Sequence, residues 1–218
     1  MKRQKKRCVL CYNYVPHFHQ ERLNKAPPKT VGDEFIFFPS SGDLAFATRF
    51  TVEQHIQYAE KYPDRNFLVQ SKAPNFFLNH EWPRNIILGT TIETTEKHWF
   101  TEPSKFVAYS EISKAPYPDE RFETMLIIKE EFPDNKTLVT VEPILVFNPN
   151  LFPDWIGAIS PDITYVGYDN HNCKLPEPSL KATEQFIRDI EKFTEVRTKS
   201  LRRAWWEKQK LLEASQCQ

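Results

Sequence analysis

Six short runs of β-branched and aromatic residues recur along the chain, and their spacing constrains the fold more than any other feature. Residues 86–93 (IILGTTIE) and 138–145 (LVTVEPIL) are nearly continuous apolar runs, typical of strands buried on both faces of a parallel sheet. The runs begin about 20 to 32 residues apart, which is the spacing of β-α units. The predicted strands are residues 35–39, 66–71, 86–93, 106–112, 138–145 and 163–168.

Helical patterns occupy most of the intervals between these runs. Residues 118–132 place Phe122, Met125 and Leu126 at helical spacing. The predicted helices are residues 51–62, 118–132, 179–193 and a basic final helix at 196–214. We therefore predict an α/β fold, a partial (β/α)6 TIM-type barrel of parallel strands with a C-terminal helix. It forms one domain over residues 1–218, with a basic tail at residues 1–7.

The composition is that of a globular protein. Of 218 residues, 40% are hydrophobic and 14% aromatic, which is enough for a sizeable core. No apolar run approaches the roughly 20 residues that span a bilayer, and the N-terminus lacks an apolar signal region, so we expect a cytoplasmic protein. Four cysteines, only two of them close in sequence, do not form a secreted disulfide framework.

A Cys-x-x-Cys pair stands near the start of the chain, in CVLCYNYVPHFH. Cys8 and Cys11 are followed by His17 and His19, and these residue types are those of metal ligands. An iron–sulfur cluster, a zinc ion and no metal at all are the three alternatives. The separation between Cys11 and the histidines is shorter than in the usual zinc finger. Taken alone, the two histidines are typical of an ordinary surface at a helix entry.

Polar residues stand at the end of nearly every predicted strand. Glu93 and Glu142 lie within otherwise apolar strands, and Asn170 follows the last strand. A carboxylate in such a position is costly unless it is paired or binds something. For any single polar residue at a strand end, pairing with a lysine or a backbone amide is a sufficient explanation. For the whole set, a ligand pocket at this edge is the better explanation, because function in such folds lies at the carboxyl ends of the strands.

Several of these segments together resemble the radical S-adenosylmethionine (SAM) superfamily. They are the CxxC followed by a tyrosine, SGD after the first strand, SKAP after the second, and then LGTTIE and VTVEPIL. The chain is most similar to a phage- and bacteria-borne group related to spore photoproduct lyase-type proteins. The resemblance runs from about residue 8 to residue 172.

The resemblance implies a [4Fe–4S] cluster and SAM, which together generate a radical on a nucleic-acid or nucleotide substrate. Cys8 and Cys11 would be cluster ligands, Glu93 and Glu142 would reach the SAM ribose or the substrate, and Asn170 would help to shape the pocket. The residues that match cofactor-binding positions are Leu10, Tyr12, Ser41, Gly42 and Asp43.

The chain departs from the family at the first cluster cysteine, because position 4 is Gln4. Three explanations stand side by side. The missing strand and cysteine lie upstream of Met1, or another residue (Cys173, His17 or His19) is the third ligand. The third explanation is that the radical chemistry has been lost, which leaves a non-enzymatic binding or assembly module with a zinc-filled or empty CxxC. Cys217, close to the C-terminus, is predicted to have no role.

A nucleic-acid partner has separate support from the charge distribution. Five of the first seven residues are basic, and residues 202–206 read RRAWW. Such residues could contact phosphate and stack on bases. The favoured alternative is that the tryptophans dock the last helix onto the barrel.

Overall fold

The computed structural model describes residues 8–13, 15, 17–40, 42–101 and 105–216. Eight strands and seven α-helices lie within this part of the chain, together with short 3-10 turns. The strands are β1 (Ile36–Phe37), β2 (Phe67–Gln70), β3 (Ile86–Thr91), β4 (His98–Thr101), β5 (Lys105–Ala108), β6 (Thr137–Val141), β7 (Ile163–Val166) and β8 (Glu195–Thr198). The α-helices are α1 (Val9–Tyr12), α2 (Arg49–Glu60), α3 (Tyr109–Ile112), α4 (Pro118–Glu131), α5 (Leu151–Ile159), α6 (Leu180–Ile190) and α7 (Trp205–Gln216).

Six of the strands form one parallel sheet in the order β1-β2-β3-β6-β7-β8. Neighbours in the sheet follow their order along the chain, and the sheet curls into a half-barrel. The predicted α/β class with parallel strands is therefore confirmed, and the half-barrel is consistent with a partial barrel. Since the strands are parallel, all six carboxyl ends meet at one edge of the sheet.

Helices cover one face of the sheet and bury most of the core. Alternate strand residues such as Val69, Leu88 and Val139 pack there against α2, α4, α5 and α6. Local signals fix the helix starts: the Thr48 side chain accepts a hydrogen bond from the Thr51 amide at the start of α2, and Ser179 caps α6 in the same way.

The other face carries a smaller apolar cluster near the amino ends of the strands. Leu68, Ile87, Leu138 and Ile163 form it, with Phe35 and Tyr165 packed against them. Towards the carboxyl edge, the residues that alternate along each strand onto this same face are polar. Leu138 is followed by Thr140 in β6 and by Glu142 just after the strand ends. The sequence pattern thus makes this face apolar at one end and polar at the other.

Two predicted elements are wrong. Residues 106–112 are not a strand of the main sheet. β5 pairs only with β4, in an antiparallel hairpin, and the chain then turns into the short helix α3. Residues 196–214 are not one helix, because β8 adds to the sheet edge before α7 begins. Helix α5, within an apolar segment that contains Pro153, was not predicted.

Within the described residues, no helix combines the length and the apolar character needed to span a membrane.

Candidate functional site

The two cysteines stand on one side of a single helical turn. Cys8 is the extended residue that precedes α1, and Cys11 follows one turn later. The Val15 amide then donates to the Leu10 carbonyl (3.0 Å), which bends the chain back after the helix. His17 and His19 are two residues apart on non-helical backbone, and such positions face the same side where a chain is extended. This bend brings the histidines over the cysteines.

Four ligand atoms of these residues converge on one point. The Cys11 Sγ lies 3.4 Å from Nε2 of His17 and 3.1 Å from Nε2 of His19. The Cys8 Sγ lies 3.3 Å from Nε2 of His17, and the two Nε2 atoms are 2.8 Å apart. All four atoms lie within 4.8 Å of one another. They could hold one metal ion, so the two histidines lie with the cysteines in one candidate metal site.

The second ring nitrogen of each histidine has a partner of its own. His17 Nδ1 donates to the Val15 carbonyl (2.6 Å), and His19 Nδ1 lies 2.8 Å from a carboxylate oxygen of Glu21. Because these oxygens only accept, a proton on Nδ1 leaves the Nε2 lone pair of each neutral ring pointing into the group. Metal-binding histidines are commonly held by partners of this kind.

The two thiols differ in their pKa. The Cys11 backbone N–H is the main cause that lowers the pKa of Cys8, and hydrogen bonds between Cys8 and the side chains of Cys11 and His17 add to it. The pKa of Cys11 is raised, first by burial and then by the neighbouring Cys8. One thiol therefore ionises more readily than the other, and a cation between them would favour both thiolates.

The segment around this group rests against the barrel beside α2. The Phe18 ring lies 5.3 Å from the ring of His55 on that helix, and Tyr58 donates to the Lys25 carbonyl (2.7 Å). Leu23 packs against the main core. In contrast, no residue of α1 is buried. The helical turn between the two cysteines is therefore not anchored by a buried side chain.

The positions matched to SAM binding have local partners. Leu10 is 45% exposed. Asp43 accepts hydrogen bonds from the Ala45 amide (2.9 Å) and the Ser71 hydroxyl (2.8 Å), and Gly42 turns the chain with a positive φ. Tyr12 follows Cys11 as the last residue of α1. Ser41 and Gln4 lie outside the described residues, as does Cys217.

Glu93 is the centre of a buried charge network at the carboxyl edge of β3. Its carboxylate accepts from Lys72, from Arg121 Nη2 (2.9 Å) and from the Tyr109 hydroxyl (3.2 Å). Arg121 is fully buried and also donates to the Thr91 carbonyl. Burial alone would raise the pKa of Glu93, but the charges of Arg121 and Lys72 outweigh it and hold the pKa below its ordinary value.

Glu142 and Asn170 are brought together by the register of β6 and β7. The Asn170 amide donates to Glu142 (3.1 Å), and the Lys199 ammonium lies 3.2 Å from the other carboxylate oxygen. This group is more exposed than that of Glu93, since half of the Lys199 side chain faces solvent. Glu93 thus belongs to one group, and Glu142 and Asn170 belong to another. Each group includes a lysine that follows a strand, Lys72 after β2 and Lys199 after β8.

Sequence reasoning missed Arg121 and Tyr109. Arg121 belongs to α4, where a charged residue between apolar positions is typical of a solvent face. Tyr109 was predicted to lie in a strand (residues 106–112), but it is the first residue of the short helix α3. A signal was present in the unpaired charge of Glu93, which requires a partner, but nothing in the sequence says which helix supplies it.

The basic C-terminal segment docks on the barrel through its tryptophans, which was the favoured prediction. Arg202 forms a two-pronged ion pair with the buried Glu177 (2.6 and 2.9 Å). The indoles of Trp205 and Trp206 donate to the carbonyls of Leu175 (2.8 Å) and Glu177 (2.9 Å). These side chains are therefore engaged within the chain. Contact with nucleic acid stays a prediction.

The donor set does not fit the cluster that the resemblance implies. A [4Fe–4S] cluster takes its protein ligands, usually three or four thiolates, on different irons. Here two thiolates and two imidazoles converge on one point, and the exposed Cys173 is not part of the group. Comparison with protein-family models, with curated proteins and with solved structures finds no match. The fold and the site define an α/β half-barrel protein with a candidate metal centre.

Proposed function

We propose that the protein is a zinc-stabilised binding module. Cys8, Cys11, His17 and His19 hold one structural zinc ion that fixes the amino-terminal segment beside the half-barrel. The observation that carries the proposal is the convergence of the four ligand atoms within 4.8 Å of one another. Two sulfur and two nitrogen donors around one point are the ligand set of tetrahedral zinc.

The role is structural because four protein ligands fill a tetrahedron. Catalytic zinc keeps a position open for water or substrate, usually with three protein ligands. A structural role is also consistent with the weak local stabilisation of α1, since this helix has four residues and none of them is buried. A helix this short does not persist in water by itself. A metal ion bound to Cys8, Cys11 and the histidines supplies the stabilisation that packing does not.

The binding function is assigned to the carboxyl edge of the sheet. Charged groups from four strands of the half-barrel meet there, around Glu93 and around Glu142. Ligands of open parallel sheets bind at this edge. The buried ion pairs fix the edge in one conformation, and the more exposed Lys72 and Lys199 are the groups that a ligand meets first.

The experiment is elemental analysis of protein purified without oxygen, before and after attempted cluster reconstitution. We expect about one zinc and no iron per chain. The variant Cys8→Ser should lose the zinc, whereas Cys173→Ser, which changes an exposed cysteine outside the group, should keep it. Iron and sulfide at about four each per chain, or full zinc content in Cys8→Ser, would overturn the proposal.

A further inference from the structure

A second concave site lies between the β4–β5 hairpin and the loop after β6. Its volume is about 330 Å³, which is within the lower range for small-molecule sites. We call it the hairpin pocket. It is lined by Glu96, His98, Trp99, Val146, Phe147 and Pro176. It is distinct from the metal centre, because it belongs to the carboxyl edge, where the chain leaves β3 and β6.

Hydrogen bonds among the three wall segments hold the hairpin pocket open. The Val146 carbonyl accepts from the Thr94 hydroxyl (2.7 Å) and from the Trp99 indole (2.9 Å). The Val146 amide donates to the Pro176 carbonyl (2.7 Å). Trp99 is itself buried and packs with Tyr109 and Leu145 beneath the hairpin. The pocket is therefore formed before any ligand arrives, so binding need not order its walls.

Glu96 is the acidic group of the hairpin pocket, and it differs from Glu93 and Glu142 at this edge. It accepts a hydrogen bond from the Thr95 hydroxyl (3.1 Å), but no lysine, arginine or histidine of the described chain forms an ion pair with it. Four other carboxylates in this part of the structure do have a cation. These pairs are Glu93 with Lys72 and Arg121, Glu142 with Lys199, Asp119 with Lys97 and Glu177 with Arg202.

We propose that the hairpin pocket binds a small organic cation through an ammonium group. Aromatic side chains and a single carboxylate form the kind of surface that recognises alkylammonium ions. Here Trp99, Phe147 and His98 supply the rings, and Glu96 supplies the charge. An anion would be repelled by Glu96, and a neutral apolar ligand would bury the carboxylate without a partner.

The test compares choline with 3,3-dimethylbutan-1-ol, its neutral isostere, by isothermal titration calorimetry on the full chain. Choline should bind at least about tenfold more tightly than the alcohol, because only the cation gains from the rings and the carboxylate. In NMR spectra, the indole N–H signal of Trp99 should shift during the choline titration. Such a shift would place the ligand in the hairpin pocket.

Two matched variants separate charge recognition from shape. Glu96→Gln keeps the size of the side chain and should weaken choline binding about tenfold, while leaving the alcohol unaffected. Glu81→Gln, which changes a carboxylate outside the hairpin pocket, should bind choline like the parent. Circular dichroism checks that both variants fold. Equal binding of the two probes, unchanged choline binding in Glu96→Gln, or no binding of either choline or butylammonium would overturn the proposal.

Discussion

The Glu93 network and the Cys8–His19 group are both polar clusters, but only the first is complete without an added ion. Around Glu93, the carboxylate meets two cations and a hydroxyl, and burial strengthens its contacts with Arg121 and Tyr109. Around Cys8, two sulfurs and two imidazole nitrogens, all of them possible metal ligands, lie within 4.8 Å of one another. A cluster made only of donors to a metal needs the metal for its stability, whereas a network of opposite charges does not.

The two regions also differ in how firmly they are attached to the rest of the fold. The Glu93 network lies within the core of the half-barrel, and its loss should affect the whole domain. The Cys8–His19 group belongs to a segment that is attached to the barrel by a few contacts, such as the hydrogen bond from Tyr58 to Lys25 and the ring contact of Phe18. Its loss should free that segment and leave the sheet folded.

The largest effect is expected for Arg121→Met. The substitution leaves the buried carboxylate of Glu93 without its main cation, and breaking such a pair costs about 3–5 kcal/mol. Urea unfolding of the variant and the parent measures the difference. The control is Arg49→Met, which breaks an exposed pair with Glu53 and should cost about 0.5 kcal/mol or less. Equal costs for the two variants would show that the Glu93 network is not the buried centre described above.

Removal of the metal by a chelator should open the amino-terminal segment. Without the ion, α1 has no buried residue to hold it, so chymotrypsin should cleave near Tyr12 and Phe18 at least about tenfold faster. The midpoint of urea unfolding of the barrel should change much less. Added zinc should restore protection in Cys173→Ser but not in Cys8→Ser. Cleavage at the same rate with and without metal would contradict a structural role.

Acid should weaken the half-barrel through Glu93, in an experiment on chelated protein so that metal release does not contribute. The folded-state pKa of Glu93 is below its ordinary value, so the unfolded chain takes up the proton first, at about pH 4.3. The stabilisation is thus present above that pH and is lost as the pH falls through the lower folded-state pKa. Urea unfolding between neutral and acid pH should show a flatter dependence in Glu93→Gln. An identical slope in parent and variant would refute this linkage.

The smallest effect is expected for Lys199→Met. Lys199 pairs with Glu142, but about half of its side chain is exposed, and exposed pairs contribute about 0–1 kcal/mol. Thermal or urea unfolding should therefore differ little from the parent. A loss as large as that of Arg121→Met would mean that the Glu142 group, too, is a buried network.

Much of the sheet could be predicted from the sequence, because buried parallel strands leave a strong local signal. The runs around β2, β3, β6 and β7 are apolar and bounded by polar residues, and each lies where the structure has a strand. The run FVAYSEI gave the same signal but belongs to a hairpin and a helical turn. β8 (EVRT) was missed because it is short, partly exposed and polar, and its charges continue into the basic helix.

The candidate site could be predicted in its residues but not in its grouping. Cys8 and Cys11 are recognisable by their spacing alone. That His17 and His19 join them depends on one reversal of the chain, where the Val15 amide meets the Leu10 carbonyl. The partner of Glu93 lies 28 residues further along the chain, in Arg121, and pairings of that kind are set by packing rather than by local pattern.

The most direct test of the metal centre is X-ray absorption at the zinc edge of the purified full chain. The four-ligand centre predicts two sulfurs at about 2.3 Å and two imidazole nitrogens at about 2.0–2.1 Å. Cys8→Ser should lose the zinc, so that no zinc edge remains above background. A zinc shell made of oxygen atoms, or iron in place of zinc with neighbouring irons in its scattering, would contradict the account.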